Sequence, residues 1–134
     1  MKNNMYLGID LGDKRCGISV YIQGVILPKG IVDRHLLISV LKKLIKEYDI
    51  TTIVVGLPYD LYGKKLKQLD KTNIFIQKLK NIFPMQKIDG IDERFTSFEA
   101  DFVLNSMGIK NKIGNKDDIS AVLILESYLS KNNS

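Results

Sequence analysis

The hydrophobic positions change period along the chain, and the changes mark its elements. Near the N-terminus Leu7, Ile9 and Leu11 alternate with Tyr6, Gly8 and Asp10, and beyond Gly12 the alternation resumes at Cys16, Ile18 and Val20. Period-two alternation on both sides of a glycine turn predicts two antiparallel strands. Val25-Ile26-Leu27-Pro28 reads as a third strand, which completes a meander. The period then lengthens. Leu37, Val40, Leu41, Leu44, Ile45 and Tyr48 fall at helical spacing, with Lys42, Lys43, Lys46 and Glu47 on the other side, so residues 35–48 read as an amphipathic helix.

Thr51-Thr52-Ile53-Val54-Val55-Gly56-Leu57 is a β-branched run without alternation, as a central strand covered on both faces requires. A second helix follows over residues 66–83, with Leu69, Ile76, Leu79 and Phe83 inward, and Pro84 breaks it. Residues 87–94 read as another strand. Thr96-Ser97-Phe98-Glu99 has the spacing of a capping box and opens a helix running to about Met107. Residues 108–114 form a lysine-bearing loop, and Asn115 can cap a last helix that opens with Lys116-Asp117-Asp118 and continues through Ile119, Val122, Leu123 and Leu129. This order predicts a single α/β domain over residues 1–134, a mixed sheet whose first three strands are antiparallel and whose later strands are joined by crossovers.

Composition narrows the class. A chain of 134 residues can bury about two-thirds of its unfolded surface, and 45% apolar with 26% charged residues is ordinary for a globular protein. No apolar run reaches signal-peptide or membrane-spanning length, which points to the cytoplasm and to no membrane partner. Cys16 is the sole cysteine and reads as a small buried hydrophobe. The net charge of +5 is uneven: six lysines (64, 65, 67, 71, 78 and 80) face the single acid Asp70, and residues 108–116 carry Lys110, Lys112 and Lys116 with no acid. Such patches suit a polyanion such as nucleic acid, although solvated helix faces have the same composition.

The candidate chemistry starts from Asp10, a carboxylate among apolar strand neighbours. It either caps the turn made by Gly12 and Asp13 or belongs to a metal or phosphate site. Open α/β sheets bind ligands at the carboxyl ends of their strands. Asp10 lies near such an end, Glu93 ends the last strand, and Asp117 or Asp118 begins a helix that can pack across the same edge. Three converging carboxylates suit hard divalent cations, Mg²⁺ or Mn²⁺, because two unit charges about 4 Å apart otherwise repel by roughly 4 kcal/mol at an effective dielectric of 20. Two such ions would activate a water and stabilise the leaving oxygen of a phosphodiester. Each acid also has a plainer reading: Glu93 can pair with Arg94 or a lysine, and Asp117 can favour its helix N-terminus.

The segment Gly8-Ile9-Asp10-Leu11-Gly12-Asp13-Lys14-Arg15-Cys16-Gly17-Ile18-Ser19 resembles the opening motif of the YqgF/RuvX-type Holliday junction resolvases, also called pre-16S rRNA nucleases. Val55-Gly56-Leu57-Pro58, Asp92-Glu93-Arg94-Phe95-Thr96-Ser97 and Asp117-Asp118-Ile119-Ser120-Ala121-Val122-Leu123-Ile124-Leu125 resemble its other signatures, in the same order. The resemblance implies a ribonuclease H-like fold, a five-stranded mixed sheet with helices on both faces. It also implies divalent-metal cleavage of nucleic acid, with Asp10, Glu93 and Asp117 as catalytic and metal-holding acids. It aligns the last helix on Asp117, leaving Asp118 as an extra acid and Ser120 in place of an alanine. Lys14 and Arg15 match the basic pair after the first acid, and phosphate contact is their physical reading. Lys64, Lys65, Lys67, Arg94, Lys110 and Lys112 complete the expected nucleic-acid surface. The loop with Tyr62-Gly63 departs from the family, which commonly has an acid before that glycine. The expected activity is processing of the 5′ end of an rRNA precursor, with branched DNA as the competing substrate, cut by a monomer or weak homodimer; the alternative of a different class is a factor that binds nucleic acid without cutting it. The Gly8–Gly12 motif also resembles the first phosphate motif of actin-like ATPases, but no second glycine-rich motif follows.

Overall fold

The computed structural model describes residues 4–57, 67–92 and 116–132, and at 67, 68, 116–118 and 132 the backbone alone. The helix expected to end near Met107, its capping box and the lysine-bearing loop lie outside these residues. Five strands form one sheet in the order β3-β2-β1-β4-β5: β1 (Tyr6–Asp10), β2 (Arg15–Ile22), β3 (Val25–Asp33), β4 (Thr52–Leu57) and β5 (Lys87–Asp92). The first three are antiparallel neighbours, and β4 and β5 run parallel to β1. The carboxyl ends of β1, β3, β4 and β5 therefore share one edge.

Among the described residues three helices cover the sheet: α1 (Leu37–Tyr48), α2 (Lys67–Ile82) and α3 (Lys116–Asn132). Alternation decides which residues each receives. Leu7 and Ile9 of β1 and Ile53 and Val55 of β4 point to one face, where Leu37, Leu41 and Leu44 of α1 and Phe75, Ile76 and Leu79 of α2 close over them. Val54, Ile91, Ile124, Leu125 and Tyr128 form the core of the opposite face, beneath α3. Leu69 and Phe83 are buried as the helical spacing predicts, and the α2 helix stops before Pro84. Cys16 is buried.

Two boundaries differ from the sequence expectation. The third strand runs on past Pro28 to Asp33, because β3 is an edge strand on which a missing N–H breaks no ladder, and a register irregularity opposite Gly17 to Ser19 absorbs the extra residue at Gly30, whose φ is +87°. The first helix begins with a separate 3₁₀ turn at Arg34–Leu36. It ends at Asp49, a left-handed residue at φ 54° whose N–H returns to the Ile45 carbonyl.

Candidate active site

The site is built where β1 ends. Asp10 is the last residue of β1, on the face turned to α3 and half buried. Its neighbours on that face explain how α3 reaches it. A Cβ at Gly8 would stand 2.7 Å from Ser19 Oγ, 2.8 Å from Leu125 Cγ and 3.0 Å from the Ala121 carbonyl oxygen, so only glycine lets the helix backbone come this close. Ser19, opposite Gly8 in the β1–β2 register and fully buried, donates its hydroxyl to the Ala121 carbonyl at 2.7 Å. Further along, Tyr6 meets Tyr21 and Tyr128, each with ring centroids 5.7 Å apart. Tyr128 in turn donates its hydroxyl to Asp89 at 2.9 Å.

These contacts set the direction of α3. Tyr128 lies by Tyr6 and Ala121 by Gly8, so the helix runs antiparallel to β1 and its first turn arrives at the carboxyl end of the strand. Asp117 belongs to that first turn, four residues before Ala121. At ~1.5 Å per helical residue that is about 6 Å, close to the ~6.6 Å by which Asp10 lies beyond Gly8.

The turn after Asp10 is held from outside. At Gly12 a Cβ would fall 2.2 Å from the Arg15 carbonyl oxygen, which excludes any side chain. The Gly12 carbonyl accepts from Arg34 Nη1 at 3.0 Å and from the Cys16 thiol at 3.7 Å. The Arg34 amide donates to the Lys14 carbonyl at 2.8 Å, and its guanidinium lies 4.9 Å from the centroid of the Phe75 ring of α2. Lys14 and Arg15, exposed, project from this turn. No local pattern marks Arg34, whose partner Gly12 is 22 residues away, and sequence reasoning missed it. Ser19 escaped for the same reason: its partner is 102 residues away.

Of the sequence-predicted acids, Asp10 is described in full and Asp117 by its backbone in α3, while Glu93 follows the last described residue of β5. Lys67 opens α2, again by backbone alone, and Lys64, Lys65, Arg94, Lys110 and Lys112 lie outside the described residues. Among the described residues no three His, Cys, Asp or Glu side chains gather as a metal site. Asp10 offers oxygen, the Cys16 thiol is buried and turned to the Gly12 carbonyl, and His35 is exposed beyond β3, so what the edge presents suits a hard, oxygen-seeking cation.

Comparison with known proteins identifies the family and the fold. The family model for RuvX, described as Holliday junction resolvase, matches residues 4–131. A protein of Ruminiclostridium cellulolyticum is 35% identical over 93% of this chain and 93% of its own length, and one of Sulfurihydrogenibium sp. is 39% identical over 93% and 89%. Both bear the name "Putative pre-16S rRNA nuclease". Among solved structures, T. thermophilus RuvC in complex with Holliday junction substrate superposes with a TM-score of 0.58 at 12% identity, covering 90% of this chain and 89% of that one. At that identity the likeness is one of fold, and the fold is ribonuclease H-like.

Proposed function

This chain belongs to the RuvX Holliday junction resolvase family, and from that premise we propose that it is a divalent-metal-dependent nuclease that processes the 5′ end of a small-subunit rRNA precursor. The reading assigns metal binding to Asp10, Glu93 and Asp117. The observation that carries it is the approach of α3: Gly8 and Ser19 admit the helix so closely that its first turn meets the end of β1 where Asp10 stands. Asp89 and Ile91 of β5 face α3, and Glu93 is the residue after that strand in the sequence.

A pair of Mg²⁺ or Mn²⁺ ions bound there would supply an activated water and charge stabilisation at the leaving oxygen. The chain's own residues do the rest. Asp10 holds its carboxylate at the carboxyl edge of the sheet, and Lys14 and Arg15, on the turn that follows, hold backbone phosphates of the substrate and fix its register. Lys64, Lys65, Lys67, Arg94, Lys110 and Lys112 extend that cationic surface in this reading. Processing of one strand needs one site, so a single domain acting as a monomer suffices. No described helix is long and apolar enough to cross a membrane.

The second reading, resolution of a four-way DNA junction, draws on the family's description and would require two sites related by symmetry. One experiment separates them: cleavage of a 5′-extended rRNA precursor and of a four-way DNA junction, each with Mg²⁺, Mn²⁺ or chelator, by wild type and Asp10→Asn. Metal-dependent cutting of the RNA that falls more than about 100-fold in Asp10→Asn is expected, since loss of even an outer-shell partner typically costs 10- to 100-fold. Symmetric cutting of the junction alone moves the assignment to a resolvase. Cutting of neither substrate refutes the catalytic reading.

A further inference from the structure

We infer that the nucleic-acid surface continues beyond the turn after Asp10, through Arg34, onto α2, where Lys71 and Lys78 hold the sugar-phosphate backbone of a single-stranded flank of the substrate. The inference rests on the nuclease reading for its substrate class and adds residues that reading does not use.

Arg34 makes the connection. Its backbone and guanidinium bind the turn that bears Lys14 and Arg15, and the same guanidinium lies on the Phe75 ring. Phe75 is four residues after Lys71 and three before Lys78, so both lysines border it on the helix surface. Lys71 and Lys78 are exposed, and Ile74 between them is 70% exposed. Lys67, Lys71, Ile74 and Lys78 follow the 4-3-4 spacing of one helical stripe, whereas Asp70, Asn73 and Gln77 fall on the side away from Phe75. The stripe thus borders the Arg34 side of α2, and it begins at the end of the helix that follows the catalytic edge of β4.

The chemistry of this track suits a polynucleotide strand. Cations two helical turns apart, about 10 Å, match the rise of roughly three stacked nucleotides at ~3.4 Å each. An exposed aliphatic side chain between them offers a base or sugar an apolar surface, and among the described residues Arg34 keeps N–H donors beyond the one given to Gly12 for a phosphate on the way. A purely solvated helix would have no reason to place this stripe beside the arginine that clamps the Asp10 turn.

The test uses the full chain with fluorescently labelled single-stranded RNAs of increasing length, titrated at several salt concentrations with chelator present so that nothing is cut. Wild type should gain affinity as the RNA lengthens, and Lys71→Ala/Lys78→Ala should lose that gain. The slope of log K against log salt should fall by about 1.4, at about 0.7 per phosphate contact on a single strand. Lys42→Ala/Lys46→Ala, which removes two exposed lysines of α1, should keep the wild-type slope, and Lys71→Arg/Lys78→Arg should restore it. Equal loss in the α1 variant would show a diffuse cationic field and overturn the inference, as would an unchanged slope in the α2 variant or no length dependence in wild type. The nuclease reading fails separately, by absent cleavage when Mg²⁺ or Mn²⁺ is restored.

Discussion

On one face of the sheet, α1 and α2 press Leu37, Leu41, Phe75 and Leu79 onto Leu7, Ile9, Ile53 and Val55, large apolar side chains meeting large apolar side chains. On the other, α3 comes down on a glycine, a serine hydroxyl and a set of tyrosines. The first face excludes water from aliphatic area and can tolerate small shifts of its helices, since its contacts are non-directional. The second fixes α3 at one point, where the Ala121 carbonyl comes close over Gly8 and accepts the Ser19 hydroxyl. Both faces bury apolar side chains, but on the second the contacts at Gly8 and Ser19 also fix where the first turn of α3 arrives.

Substitutions on the two faces should therefore separate stability from activity. The largest loss of stability is expected on the aliphatic face: Leu79→Ala, at a fully buried position of α2, should cost about 2–5 kcal/mol in chemical denaturation. Cleavage per folded molecule should be retained at low temperature. Gly8→Ala is smaller in volume but pushes against Ser19, Leu125 and the Ala121 carbonyl. It should cost about 1–3 kcal/mol, and cleavage per folded molecule should fall by more than in Leu79→Ala, measured under the same conditions. Ser19→Ala should cost least, about 1 kcal/mol for one hydrogen bond, because the Ala121 carbonyl retains its helical partner. Its cleavage should again fall out of proportion to stability. Equal ratios of activity to stability across the three variants would erase the distinction between the faces.

Much of the fold was legible because periodicity is a local signal. The alternation around Leu7 and Ile9 placed β1, the spacing from Leu37 to Tyr48 placed α1, and the unbroken run Thr52–Leu57 placed a strand covered on both sides. The end of β3 was not legible, because Pro28 and Gly30 look like breakers until the strand is known to lie at the sheet edge. At the end of β1, the carboxylate on a strand singled out Asp10, and the family resemblance picked out the basic pair Lys14 and Arg15. Arg34 and Ser19 did not, since an arginine before a helix and a serine in a strand are ordinary until their partners are seen.

The sequence by itself determined the type and order of most elements and the face on which Asp10 stands, because each is written in spacing along a few consecutive residues, and four motifs in order carried the resemblance to the family. Only the tertiary structure decided that Gly8 is a point of backbone contact, that Ser19 holds α3 through Ala121, and that Arg34 joins the Asp10 turn to α2. Those facts depend on which distant segments meet, and no local period encodes a meeting between residues 19 and 121.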